Sequence, residues 1–252
     1  MNRTLVQRVV IALIALLVGV AGAAAVLAAI PDSGSPPSIY DDFNWNSTAN
    51  GFWHVNADGG TAAIAHGILT LSGHSIELDR RVQTDPYVTY MTLRVRAKHF
   101  YKFGFGLGVY HAGTIGIEFD NDGVKCGRGT DHGYKTDVFK TWTADTAPVN
   151  QWFYIRLAVV DPYPNPTPAE LQRLSNLDES QLKPVTETCS LYDASGRLLA
   201  QDVANSPPPN THYVGLDEAY MHTWDSGNDY QVDWVYVGPN TGDPIHGIAA
   251  SA

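Results

Sequence analysis

Beyond residue 38 the chain is a run of short apolar–polar stretches broken by glycine-rich turns, with little helical periodicity. This pattern constrains the fold more than any single residue. Residues 88–96 alternate apolar and polar side chains, the period-2 signature of a half-buried strand. Residues 103–110 alternate glycine with bulky apolar side chains. That suits a strand whose glycine face lies against another backbone or a ligand. Stretches 62–65 and 68–71 flank His66-Gly67 and predict a hairpin. Stretches 115–119 and 124–128 are joined by Asn121-Asp122-Gly123, a strong turn signal. Residues 152–160 predict a central strand, and 188–192 with 197–201 a hairpin about Ala194-Ser195-Gly196. Residues 213–216 and 230–237 complete the set. About a dozen short strands without crossover helices exclude a parallel α/β fold and leave an all-β sandwich or closed barrel. One helix is expected, at 168–177, inside an insertion spanning 161–184. Long insertions between core strands often form functional rims, though this one fits a lid without a role equally well.

The N-terminus follows different rules. Arg3 and Arg8 precede an uncharged apolar run from Val9 to Ile30. This is the layout of an export signal, with Ala21-Gly22-Ala23 and Ala23-Ala24-Ala25 as cleavage patterns. The run is also long enough to span a bilayer as a retained apolar helix. Residues 1–30 are therefore a signal peptide or a membrane anchor, and either places the rest outside the cytoplasm, secreted or anchored at the cell surface. Residues 31–38 predict a linker, 39–240 the β domain and 241–252 a flexible tail. In such a compartment Cys126 and Cys189 are expected to form a disulfide, the alternative being two buried thiols. The formal charge of the chain is −10, and without Arg3 and Arg8 the exported part carries −12. That balance disfavours nucleic acid and anionic lipid as partners, leaving the membrane only to an uncleaved N-terminal segment.

Within the β domain, Glu118, Asp120 and Asp122 alternate with Phe119 and Asn121. On a strand the three carboxylates share one face. Like charges side by side repel, whereas sugar hydrolysis uses paired carboxylates as nucleophile and general acid. The turn signal Asn121-Asp122-Gly123 offers a plainer role for Asp122.

The ends of the domain carry a family resemblance. Tyr40-Asp41-Asp42-Phe43-Asn44, followed by Gly51-Phe52-Trp53-His54-Val55, resembles the opening of a concanavalin A-like lectin/glucanase domain. Gly67-Ile68-Leu69-Thr70-Leu71 resembles its second hairpin, and Tyr230-Gln231-Val232-Asp233-Trp234-Val235-Tyr236-Val237 its closing strand. The resemblance implies a two-sheet antiparallel jelly-roll sandwich whose concave face binds a polysaccharide or other glycan. Within that superfamily Glu118-Phe119-Asp120-Asn121-Asp122 is similar to the catalytic strand of family 16 glycoside hydrolases. The similarity implies Glu118 as nucleophile, Asp120 as assisting carboxylate and Asp122 as acid/base. Asn121 departs from that pattern, which has an apolar residue there, and Asp122 replaces its final glutamate. The resemblance also implies a structural calcium where the closing strand meets the first, on Asp233 with Asp42 contributing.

Aromatic faces stack on sugar rings. Trp53, Trp152 and Trp234 lie in strand-like sequence and are expected between the sheets. Trp142 and Trp224 lie in polar, loop-like sequence and are the groove candidates, with His132 and His222 beside them. Asn46-Ser47-Thr48 fits a glycosylation sequon, relevant only in a host that glycosylates. The functions that remain are a glycan-binding module, a glycosidase, and a structural surface module.

Overall fold

The computed structural model describes residues 38–44, 53–82, 88–100, 102–109, 113–120, 122–130, 133–134, 138–141, 147–163, 167–206, 218–224 and 228–245. The apolar N-terminal segment, His132 and Trp142 lie outside them, as do the sequon and the strand expected at 213–216. Among the described residues no helix is long and apolar enough to cross a membrane.

Two antiparallel sheets make up the domain. The first contains β1 (Ile39–Asp41), β3 (Gly60–Ala65), β4 (Ile68–Gly73), β6 (Thr89–His99), β12 (Phe153–Val160), β13 (Val185–Tyr192), β14 (Leu198–Ser206) and β16 (Asn228–Gly238). Its order is β14-β13-β12-β6-β16-β4-β3, with β1 also on β16. The second contains β2 (His54–Ala57), β5 (Ile76–Arg81), β7 (Phe103–Val109), β8 (Gly113–Asp120), β9 (Gly123–Thr130), β10 (Gly133–Tyr134), β11 (Val138–Thr141) and β15 (Glu218–Thr223). Its order is β10-β9-β8-β7-β15-β5-β2, with β11 on β9. This is the two-sheet antiparallel sandwich expected, rather than a closed barrel.

Alternation builds the core. Leu93, Val95, Ile155, Leu157, Val232 and Val235 of the first sheet are fully buried, as are Phe105, Ile117, Phe119 and Met221 of the second. They belong to one hydrophobic cluster. Phe119 stacks on Phe103 at 5.9 Å and meets Phe153 of the other sheet edge-on at 5.5 Å. The same cluster encloses the Cys126–Cys189 disulfide, which ties β9 to β13 across the two sheets. Glu187, fully buried, brings its carboxylate within 4.8 Å of both sulfurs.

Turn chemistry sets the registers. His66 and Gly67 both have positive φ, 53° and 72°, and join β3 to β4 in the tight two-residue turn that matches strand twist. Closure of the domain depends on Asp41, whose carboxylate accepts from the Phe43 amide and from Trp53 Nε1, both at 2.9 Å. Ile39 pairs with Val237 and Asp41 with Val235, so the first and last strands lie side by side.

Three expectations change. The start of the tail drawn from 241 belongs to the domain, because Asp243 and Ile245 are buried against the outer face of the first sheet. Asp243 accepts from the Thr92 hydroxyl at 2.8 Å and pairs with Arg156 at 2.9 Å. The helix in the insertion is shorter, α1 (Pro168–Leu174). A reciprocal cap begins it: Glu170 accepts from the Thr167 amide, and the Thr167 hydroxyl accepts from the Glu170 amide. The rest of the insertion closes on a small cluster of its own, with Leu174 and Leu182 buried beside Tyr163 and Leu177. Finally, Trp152 and Trp234 do not lie between the sheets. The bulge at Asp233 turns Trp234 to the outer face, against Tyr154 at 5.8 Å. Trp152 lies over Arg94 and Arg96 of the same face.

Candidate functional site

The acidic strand is β8. Ile117 and Phe119 enter the core, and Glu118 and Asp120 point to the outer face of the second sheet, as alternation requires. Asp122 sits in the turn to β9, its side chain 62% exposed. The turn pairs Asp120 with Gly123, which puts Glu118 opposite Lys125. Lys125 was not anticipated, and it reorganises the site. Its ammonium lies 3.0 Å from Asp120, 3.7 Å from Glu118 and 3.8 Å from Asp122. One cation thus holds three carboxylates, two of them buried. The repulsion that made the row look like catalytic machinery is largely offset within the fold. Burial pushes the Lys125 pKa down, but Asp120, Glu118 and Asp122 together outweigh it and hold the group above its ordinary value. Lys125 is therefore charged at neutral pH.

Backbone register extends this row across the sheet. Glu118 lies opposite Gly104 of β7, Gly104 opposite His222 of β15, His222 opposite Glu77 of β5, and Glu77 opposite Asn56 of β2. Gly104 is required there. A Cβ would fall 2.5 Å from Trp224 Cη2, so the end of the indole abuts the strand between Glu118 and His222. Its backbone amide donates to the Lys102 carbonyl, and its ring meets His222 edge-on at 4.6 Å. Trp224 remains half-buried while His222 is 3% exposed. Trp224 and His222 are therefore brought together with Glu118, as expected of residues sharing one face.

One row further on, Tyr220 lies opposite Gly106 and Asp79, and Asp79 opposite His54. His54 Nδ1 contacts Asp79 at 2.8 Å, and this hydrogen bond raises the His54 pKa above its ordinary value. The glycine alternation in β7 thus has two causes: the Trp224 ring at Gly104, and the adjoining backbone of Ile115 at Gly106. Chemically, the face offers a flat indole bordered by carboxylates, a lysine and histidines.

The residues named for calcium each have a partner of their own. Asp233 is paired with Arg94, whose guanidinium supplies the positive charge there. The Asp42 carboxylate accepts from the Asn44 amide and side chain. Both acids lie near the exposed Tyr40, whose hydroxyl pKa is raised first by burial and then by their charge.

No family model matches the sequence, and no curated protein matches it. Among solved structures, a lectin from Bauhinia forficata in complex with GalNAc is similar at 10% identity, with a TM-score of 0.49, over 82% of this chain and all of that one. A β-glucanase from Bacillus licheniformis is similar at 15% identity, with a TM-score of 0.46, over 81% of this chain and 98% of that one. A protein of unknown function from Shewanella oneidensis MR-1 is similar at 10% identity, with a TM-score of 0.49, over 81% and 86%. By its own two sheets and their strand order, the chain is a two-sheet antiparallel jelly-roll sandwich.

Proposed function

We propose that this chain is an exported module that binds a polysaccharide on the outer face of its second sheet and does not cleave it. The observation that carries the reading is Lys125, in reach of Glu118, Asp120 and Asp122 together. A retaining hydrolase needs one carboxylate able to reach the anomeric carbon and a second that delivers a proton. Here Glu118 is 4% exposed, and all three acids face one charged ammonium. Trp224 supports the binding half of the reading: its half-buried ring lies against Gly104, with the exposed Asp122 carboxylate near the same lysine. Sugar recognition asks for such a stacking surface with polar groups at its edge. The disulfide supports an oxidising compartment, and with Arg3, Arg8 and the apolar run it supports export. The acidic charge supports a neutral glycan rather than nucleic acid as partner.

The test is affinity electrophoresis in soluble β-glucans, galactans, xylans and mannans, with reducing-end release measured on the same samples. Retardation by one of them is expected. Trp224→Ala should weaken it at least tenfold and Glu118→Gln should leave it nearly unchanged, with no release of reducing ends. Release that disappears in Glu118→Gln would establish the hydrolase instead, with Asp122 as its acid.

Calcium is not part of this reading. Arg94 already neutralises Asp233, so EDTA is expected to shift the melting temperature by less than about 2 °C, under 1 kcal/mol for a domain of this size. A larger fall that is reversed by added Ca²⁺ would restore the ion to Asp42 and Asp233.

A further inference from the structure

The first sheet carries a cleft of about 510 Å³, on a different sheet from the acidic face. Its size lies in the range of clefts that take small organic ligands, roughly 300–1,000 Å³. Trp152 and Leu199 supply apolar wall, and Arg94, Gln151, Asp193 and Ser195 supply polar rim. Leu199 is 41% exposed.

Two features show that the wall is preorganised. The Arg94 and Arg96 guanidinium carbons lie 4.9 Å and 4.5 Å from the centre of the Trp152 ring. Arg96 is itself fixed by donating from Nε to Gln231 Oε1 at 2.7 Å. The indole is thus held in place before any ligand arrives, which reduces the ordering cost of binding. The turn that forms the other side is equally fixed. Asp193 accepts from the Ser195 hydroxyl at 2.6 Å and from Arg197 Nε at 3.0 Å. The Ser195 hydroxyl bond, the largest influence, and the Arg197 contacts hold the Asp193 carboxyl at about 2.

The charges at this rim are matched inside the protein. Arg94 is paired with Asp233, and Asp193 with Arg197. The cleft therefore has no surplus charge with which to select an ion. A wholly apolar ligand is also a poor match, since it would take the guanidinium and the Gln151 amide from water without replacing their hydrogen bonds. The matching chemistry is a ring with one C–H face and an edge of hydroxyls. We propose that this cleft is a second glycan site, which takes the terminal pyranose rings of a neutral oligosaccharide stacked on Trp152.

The test is isothermal titration of the full chain with neutral hexasaccharides of β-1,4-glucan, β-1,3-glucan, β-1,4-mannan and β-1,4-xylan, and with decanoate as an apolar probe. At least one hexasaccharide is expected to bind. Leu199→Arg, a substitution at an exposed position that fills the cleft, should weaken this binding at least tenfold, as should Trp152→Ala. Trp224→Ala should leave this component intact, which separates the cleft from the acidic face. Melting curves of Leu199→Arg verify that its fold is unchanged. The proposal is overturned if no hexasaccharide binds, if decanoate binds and the sugars do not, or if a folded Leu199→Arg binds as the parent does.

Discussion

Replacing Cys126 and Cys189 together by alanine is expected to cost about 4 kcal/mol of stability. The bond closes a sequence separation of 63 residues, and the chain-entropy relation converts a loop of that length to about 4 kcal/mol at 25 °C. The two half-cystines are 1% and 0% exposed and belong to the main core, so small cavities left by alanine add to the loss. At roughly 2–4 °C per kcal/mol for a domain of this size, the melting temperature should fall by about 8–16 °C. Differential scanning calorimetry of the double variant measures it directly. A fall below about 3 °C would mean that the sheets are held together almost wholly by side-chain packing.

The second large effect concerns Lys125. Lys125→Met removes the cation from two buried carboxylates and one exposed one while keeping most of the side-chain volume. Leaving buried charge without its partner typically costs about 3–5 kcal/mol. Urea titration at pH 7 should show a loss of that order, and adding Glu118→Gln and Asp120→Asn should recover most of it. The pH dependence has a definite sign. The folded pKa of Lys125 lies above its unfolded value, so its contribution is fully present below about 10.5. It is lost as pH rises through the higher folded value. The native protein should therefore lose stability in the alkaline range by a component that Lys125→Met lacks. A variant as stable as the parent at pH 7 would show that groups other than the ammonium stabilise Glu118 and Asp120.

The outcome for Lys125 also shows what was legible before the structure. A two-residue turn at Asn121-Asp122 places Asp120 opposite Gly123, and counting back two residues on each strand places Glu118 opposite Lys125. The signal lies in the hairpin, because the partner of the acidic row stands on the neighbouring strand and not on the acidic strand itself. The strands at 88–96, 115–119, 152–160 and 230–237 were legible because branched and aromatic residues alternate there. β5 is not legible, because Glu77, Asp79, Arg80 and Arg81 crowd it with charge. β15 was missed for the opposite reason. Residues 219–223 are buried on both faces, so Ala219, Tyr220, Met221, His222 and Thr223 show no alternation at all. The row from Lys125 to Asn56 needs β7, β15 and β5 to be neighbours, and only the strand order supplies that. A tryptophan in a strand usually packs inward, which is the expectation for Trp152 and Trp234. A bulge at Asp233 and the arginines of β6 keep them outside.

The pairing of the first strand with the last has a mechanical consequence. Ile39 is opposite Val237 and Asp41 opposite Val235, so the outer ends of the two strands leave the sheet at the same point. Tension applied between residues 38 and 238 would load these hydrogen bonds one after another, as a zipper is opened, rather than all together in shear. β1 would peel away from β16 first, at low force, until the load reached the Asp41 carboxylate with its bond to Trp53 Nε1. The paired strands of the main core would bear force only after that side-chain latch had opened.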